Sequence, residues 1–220
     1  MESPLPFSPP VETPTRDDFD APRLGLDWVH LRDNVPGRAS LTERPGFLRL
    51  RGSADNLDDK VAPAWVGRRQ RHFSLRAATR LEFDPASEGE EAGLSVRMNE
   101  RHHYEVFVTR RDGRPTVVLR QRVGDLRVET AHRPLTDAEV RGLVLCLDAE
   151  AESYAFSCGP SLDDLRPLGK AEPRYLSTEV ATGFIGVTLA MYATGNGADC
   201  VRPADFDWFE VRPREIAPSA

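Results

Sequence analysis

Short stretches of alternating apolar and polar residues, broken by turn-forming residues, recur along most of this chain. Residues 92–98, 104–110, 116–122 and 126–130 show the pattern, with Gly113 and Gly124 in two of the turns between them. Alternation with a period of two is typical of strands that bury one face. Only residues 137–141 and 161–165 suggest short helical turns. We therefore predict an all-β fold, a two-sheet antiparallel β-sandwich of roughly twelve or more strands.

The first sixteen residues differ from the rest of the chain. They contain prolines at positions 4, 6, 9, 10 and 14 and few residues suited to a core. Proline-rich segments of this kind are extended and semi-rigid. We predict that residues 1–16 are a linker or strap, that residues 17–213 form the sandwich, and that residues 214–220 are a tail.

Charge and hydropathy exclude some classes of function. The formal net charge is −6 and the basic residues are nearly all arginine, with lysine only at Lys60 and Lys170. Nucleic-acid binding needs a basic face, so no nucleic-acid partner is expected. No run approaches the roughly 18 apolar residues of a membrane span, and the N-terminus lacks the apolar centre of a signal peptide. We expect a cytoplasmic protein without a membrane partner.

The usual catalytic motifs are absent from the sequence. There is no Gly-x-Ser-x-Gly elbow, no phosphate-binding loop and no Cys-x-x-Cys pair. Side chains of His102 and His103, as neighbours on a strand, point to opposite faces. No pair of acids has a spacing that assigns it to catalysis, so we expect no catalytic residue. Cys146 and Cys158 lie on adjacent predicted strands, and buried thiols are favoured over a disulfide there.

Acidic and aromatic residues alternate at both ends of the predicted sandwich. Residues 17–20 read DDFD and residues 205–208 read DFDW. We predict neighbouring first and last strands, with Asp205 and Asp207 on one face of the last strand and Phe206 and Trp208 on the other. Carboxylates gathered there could bind structural calcium, which takes six to eight oxygen ligands. Asp18 and Asp207 are the expected side-chain ligands; the alternative is pairing of these acids with nearby arginines, Arg23 or Arg202.

Aromatic side chains can stack on the face of a sugar ring. Trp65, Tyr104, Phe184 and Tyr192 are candidates, although most aromatic residues of an all-β protein belong to its core. Residues 68–72, with the sequence RRQRH, are unusually basic for a strand. That run is typical either of a solvated edge, which prevents edge pairing, or of a surface facing a partner domain.

Several motifs in the right order resemble one known family. They are DDFDAP at residues 17–22, Trp28, SLTERPGFLRLRG at 40–52, RRQ at 68–70, HF at 72–73, AGL at 92–94, HY at 103–104, VT at 108–109, GFIG at 183–186 and PADFDWFE at 203–210. Together they resemble the C-terminal domain of family 43 glycoside hydrolases of the β-xylosidase type. The resemblance covers about residues 15–212.

The resemblance implies a concanavalin A-like (jelly-roll) sandwich. In full-length relatives it follows a catalytic β-propeller, and residues 1–16 resemble the strap between the two. A loop of the relatives' sandwich closes the sugar pocket with an aromatic side chain, for which Phe184 is the nearest counterpart. The terminal Asp motifs correspond to where such domains often hold calcium.

The resemblance favours an accessory domain that acts on xylan or arabinoxylan oligosaccharides together with a propeller absent from this chain. A free-standing, lectin-like carbohydrate-binding protein is the alternative. A sandwich with its own glycanase activity would need alternating acids along one strand, and none is found. Xylo-oligosaccharides are the expected ligand. Sandwich domains of relatives often take part in oligomer contacts, which leaves a homo-oligomer open.

Overall fold

Two antiparallel sheets packed face to face form the described part of the chain. A computed structural model describes residues 15–214, and it confirms the predicted β-sandwich. The first sheet contains, in spatial order, β13 (Asp164–Ala171), β12 (Tyr154–Ser161), β11 (Leu143–Ala149), β6 (Leu75–Glu82), β15 (Ala204–Pro213), β4 (Leu48–Leu50) and β3 (Ala39–Ser40), with β1 (Arg16–Asp17) also paired to β15. The second contains β10 (Leu126–Pro134), β9 (Arg114–Val123), β8 (His102–Arg111), β7 (Glu91–Asn99), β14 (Thr188–Thr194), β5 (Ala64–Arg69) and β2 (Val29–His30).

The core lies between the two sheets and follows the alternation of the strands. Leu94, Val96 and Met98 of β7 face Leu145 and Leu147 of β11 across it. All five side chains are almost fully buried. This apolar layer supplies the main driving force for folding.

The first and last strands are neighbours, as predicted. Arg16 pairs with Glu210 and Asp17 with Phe209. Arg16 therefore belongs to the first strand, one residue before the predicted start of the sandwich. Residues 1–14 of the predicted strap and 215–220 of the predicted tail lie outside the described residues.

The predicted faces of the last strand are wrong, because a β-bulge interrupts it. The register of β15 against β6 shifts between Phe206 and Trp208. A bulge adds one residue to a strand and reverses the alternation beyond it. Phe206 consequently points into the core between the sheets, whereas Trp208 packs on the outer face of the first sheet beside Cys146. The bulge also separates the part of β15 that pairs with β4 from the part that pairs with β1.

One of the two predicted helical turns is confirmed. Helix α1 (Asp137–Val140) begins after Thr136, whose side chain and that of Glu139 form a capping box. Residues 161–165 are not helical, since they form the turn between β12 and β13. Before β14 the chain adds a 3₁₀ turn, Pro173–Leu176, and helix α2 (Thr178–Ala181).

The three cysteines are free thiols. Cys146 packs on the outer face of the first sheet and Cys158 in the core, so their side chains point away from each other. This arrangement explains why their adjacent strands carry no disulfide.

Candidate functional site

One end of the sandwich presents exposed aromatic side chains, and we call it the aromatic end. It is formed by the loops at residues 70–74, 150–153 and 172–187, which join strands at the same edge of both sheets. Phe184 is 99% exposed and Phe73 is 78% exposed. Exposed large aromatic side chains are characteristic of binding surfaces. Neither Phe73 nor Phe184 packs in the core of this domain.

The loop that carries Phe184 is braced against the end of β5. Gln70 donates a backbone hydrogen bond to the Val187 carbonyl at 3.0 Å, and the Arg69 guanidinium donates to the Ile185 carbonyl. Gly183 and Gly186 adopt positive φ angles of 80° and 73°, which favour glycine. The two glycines and the bracing bonds hold Phe184 outward on a defined turn.

A shallow apolar groove of about 330 Å³ lies beside this loop. Phe73, Tyr154, Leu176 and Val187 contribute to its walls. Tyr154 donates a hydrogen bond to the Gln70 side chain at 2.8 Å, and burial raises the pKa of its hydroxyl to about 12. The Tyr154 hydroxyl is therefore neutral over the physiological pH range.

Sequence reasoning missed Phe73, because residues 73–77 alternate apolar and polar side chains in the manner of a strand. The strand in fact begins at Leu75, and Phe73 lies in the bend before it. The polar run at residues 68–72 could have revealed the exposure of Phe73. A buried strand is not expected to continue directly from a run of such polar residues. That run divides in the structure: Arg68 is buried, whereas residues 71 and 72 are exposed at the aromatic end.

The other predicted stacking residues belong to the interior. Tyr104 and Tyr192 have no exposed surface and Trp65 is 4% exposed. Tyr104 donates to the Glu172 carbonyl at 2.7 Å, and Trp65 donates to Ser95 Oγ at 3.1 Å. No sugar ring can reach these rings in this structure, so Phe184 alone of the four is placed for stacking.

The outer face of the second sheet is covered by residues 53–63. Leu57, which is 2% exposed, packs there against Trp65, Phe107 and Tyr192. The next residue, Asp58, lies 3.2 Å from His103 Nε2. These contacts fill the surface that a sheet-face lectin would use to bind a sugar.

The two carboxylates beneath this cover, Glu91 and Glu105, are both bound by one arginine. Arg120 donates to both oxygens of Glu91, at 2.8 and 2.6 Å, and also to Glu105. Burial pushes both carboxyl pKa values upward and Arg120 opposes it; the net pKa is raised at Glu91 and lowered at Glu105. Such a buried, hydrogen-bonded cluster is a structural arrangement that offers no open acid pair to a substrate.

The predicted calcium ligands are each paired with arginine. Asp18 lies 2.7 Å from Arg16, and Asp207 lies 3.7 Å from Arg80. Pairing with arginine was the predicted alternative, although Arg23 and Arg202 are not the partners. Among residues 15–214, no group of three or more His, Cys, Asp or Glu side chains is placed to hold a metal ion. This donor set does not fit the predicted calcium ion.

Asp205, the other acid of the terminal motif, is held by two arginines. Arg49 Nε and Nη2 donate to its two oxygens at 2.7 and 2.8 Å, and Arg44 Nη1 donates at 2.8 Å. Burial would raise the pKa of Asp205, but these hydrogen bonds outweigh it and lower the pKa. The SLTERPGFLRLRG motif at residues 40–52 thus supplies both partners of the terminal motif.

Within residues 15–214, no helix is long and apolar enough to cross a membrane.

Comparison with known proteins gives relatives of one kind. The chain is 41% identical over 203 residues to a non-reducing end α-L-arabinofuranosidase, BoGH43B, of Bacteroides ovatus, and it is 32% identical over 210 residues to a putative β-xylosidase of Escherichia coli K12. These matches cover 92% and 90% of this chain but only 38% of each relative.

Solved structures agree with the sequence relatives. The Bacteroides ovatus xyloglucan-locus GH43B structure superposes with a TM-score of 0.89 at 40% identity, covering 96% of this chain and 41% of that one. A xylan β-1,4-xylosidase from Bacillus halodurans gives a TM-score of 0.85 at 28% identity, covering 96% of this chain and 41% of that one. Residues 16–212 match the family described as the β-xylosidase C-terminal concanavalin A-like domain, and the chain belongs to this family.

Proposed function

We propose that this sandwich completes the active site of a family 43 glycoside hydrolase, with the catalytic groups on a propeller domain. The aromatic end docks on that domain and places Phe184 at the mouth of its sugar pocket. The observation that carries the proposal is a braced loop that presents Phe184 with 99% of its side chain exposed. The chain also spans only 38% of the Bacteroides relative, so a larger catalytic part accompanies the same domain there.

The substrate class follows from the relatives' names. One acts on non-reducing-end arabinofuranose and others are xylosidases, so the shared chemistry is a terminal pentose. The proposed activity is hydrolysis of xylan or arabinoxylan oligosaccharides. In this reaction Phe184 contributes apolar surface and excludes water from the mouth of the pocket. The residues that cleave the bond belong to the catalytic propeller domain.

The positions of the first and last described residues support docking at the aromatic end. Thr15 accepts a hydrogen bond from Val211 N, and Arg214 N donates to the Ser74 carbonyl beside Phe73. Both ends of the described chain thus lie beside the part of β15 that runs to the aromatic end, and Arg214 is bonded next to Phe73. A strap arriving at Thr15 would bring the catalytic domain to this end.

The lectin-like alternative has less support, because residues 53–63 close the outer face of the second sheet. Binding of xylo-oligosaccharide by the isolated chain at the aromatic end would favour it. A homo-oligomer and a cytoplasmic location stay predictions.

The test uses the catalytic part of the Bacteroides ovatus relative, prepared without its own sandwich. Hydrolysis of nitrophenyl β-xyloside and nitrophenyl α-arabinofuranoside is measured with and without the full 220-residue chain. We expect no hydrolysis by the chain alone and a rise in kcat/KM when the chain is added. Phe184→Ala should abolish the rise. Val201→Ala, an equally simple truncation of a 76% exposed side chain at the opposite end, should preserve it.

Hydrolysis by the isolated chain would overturn the proposal. The proposal would also be overturned if the chain and the catalytic part associate but the rate of hydrolysis by the catalytic part does not change.

A further inference from the structure

A large groove opens at the end of the sandwich opposite the aromatic end. This arginine end is formed by the loops at residues 83–90, 111–114, 135–142 and 195–203. The groove has a volume of about 860 Å³. Phe83, Leu135 and Val140 contribute apolar walls, and Phe83 is 3% exposed. The volume is within the range of small-molecule sites, and charged side chains make up most of the remaining lining.

The acids that line the groove are mostly committed to two of its arginines. Arg44 Nη1 lies 2.7 Å from Glu82 and 2.8 Å from Asp205. Arg110 Nη2 lies 2.8 Å from Asp84. These three carboxylates are therefore already engaged, whereas the side chain of Asp137, the fourth acid of the groove, forms no hydrogen bond or ion pair with any described residue.

Three more arginines line the groove without any such partner: Arg114, Arg141 and Arg202. All three are exposed. Among residues 15–214, the only other arginines whose side chains form no hydrogen bond or ion pair are Arg23 and Arg166. In a chain of net charge −6 that pairs nearly all its arginines, this concentration of unpaired guanidinium groups at one groove is distinctive.

We propose that this groove binds the carboxylate of an acidic glycan, an oligosaccharide that carries a uronic acid. Guanidinium groups recognise carboxylates with paired, charge-assisted hydrogen bonds. The apolar walls suit the C–H faces of the sugar rings to which the acid is attached. The ligand class rests on the proposed function, which makes a glycan the natural ligand of this domain.

An acidic protein segment is the competing ligand for such arginines. A groove of this volume holds a few sugar rings, whereas a protein–protein contact of standard size buries roughly 800 Å² on each partner. The concave shape and the apolar walls therefore favour the glycan. An acidic peptide is included in the test so that it can decide against the glycan.

The experiment is titration calorimetry on the full chain with two sugars of matched size. The acidic ligand is xylotriose carrying one glucuronic acid branch, and the neutral ligand is xylotetraose. We expect the acidic sugar to bind at least about tenfold more tightly, the gain of one charge-assisted contact. That preference should shrink as salt is raised from about 50 to 500 mM.

The variant Arg141→Gln with Arg202→Gln should remove the preference for the acidic sugar. The matched control is Arg23→Gln with Arg166→Gln, which removes two unpaired arginines from elsewhere and should leave the preference intact. The proposal would be overturned if the chain bound both sugars with equal affinity. It would also be overturned if the control variant lost the preference for the acidic sugar to the same extent, or if a glutamate-rich peptide bound more tightly than the acidic sugar.

This test is independent of the one for the proposed function. The hydrolysis assay uses neutral pentosides and depends on Phe184 at the other end. A failed hydrolysis assay with retained acidic-sugar binding would therefore remove the accessory role but keep the groove, and the reverse result would remove only the groove.

Discussion

Arg49 holds Asp205 with two parallel hydrogen bonds, Nε to Oδ1 at 2.7 Å and Nη2 to Oδ2 at 2.8 Å. The two residues lie opposite each other on β4 and β15 and are 156 positions apart in the chain. Asp205 is only 6% exposed. The terminal acidic motif is therefore tied through arginine to the motif at residues 40–52, a role in stability rather than chemistry.

Asp205→Ala is expected to destabilise the domain by about 2 kcal/mol, since hydrogen bonds to charged groups are worth about 1.5–3 kcal/mol. The loss leaves Arg49 and Arg44 without their shared acceptor. Asp18→Ala is the control: the side chains of Arg16 and Asp18 are 39% and 54% exposed, so the change should be below about 0.5 kcal/mol. Urea unfolding measures both, and equal losses in the two variants would contradict this assignment.

Calcium is expected to have no effect on thermal stability. The acids that could bind it are engaged by arginines, so a cation would have to displace Arg16 from Asp18 and Arg80 from Asp207. We expect the same Tm in excess EDTA and in millimolar calcium chloride. A rise in Tm with calcium that Asp207→Asn removes would restore the calcium site.

Leu57→Ala should cost about 2–4 kcal/mol, the usual penalty for emptying a buried leucine site. Leu57 is the apolar anchor of residues 53–63 on the outer face of the second sheet. Val61→Ala removes a 39% exposed side chain from the same segment and should change stability little. The free energy of unfolding gives the result; an unchanged stability in Leu57→Ala would mean that this cover is not packed in solution.

Acid should remove the stabilisation provided by Glu139. Burial would raise its pKa, but hydrogen bonds from Arg133 and from Thr136 outweigh it and lower the pKa from 4.5 to about 2. Because the folded pKa is depressed, the stabilisation is fully present above about pH 4.5 and is lost as pH falls toward 2.

Glu139→Gln is therefore expected to be less stable at pH 6 and to show a shallower fall in Tm between pH 4.5 and 2.5. Ala138, beside it on the exposed side of α1, offers the control Ala138→Gln, whose acid dependence should match the natural sequence. Parallel acid curves for all three proteins would argue against a depressed pKa at Glu139.

The strands with clean alternation were predictable, and one strand was not. Strand β13 contains Pro167 and Gly169, which break the usual strand signal. It pairs with β12 alone, at the edge of the first sheet, where proline is tolerated because one side of the strand needs no hydrogen bonds. Edge position is a property of the assembled sheet, so local pattern could not reveal this strand.

The candidate site was predictable only in part. The family resemblance, which includes the GFIG motif, identified Phe184; the structure then showed positive φ angles at Gly183 and Gly186 on either side of it. Phe73 was hidden by an alternation that continues from β6 although the strand itself begins at Leu75. The groove at the arginine end joins residues from five parts of the chain, and no single stretch of sequence contains it.

By itself, the sequence determined the fold class and the family signature, since period-two alternation and turn residues act over a few positions. The tertiary structure decided which groups those motifs would contact. One bulged residue, Asp207, sent Phe206 and Trp208 to opposite sides of the first sheet. Pairing between distant strands placed arginines, instead of a cation, on the acids. Such choices depend on contacts across the whole chain, because register and burial are settled only when the sheets pack together.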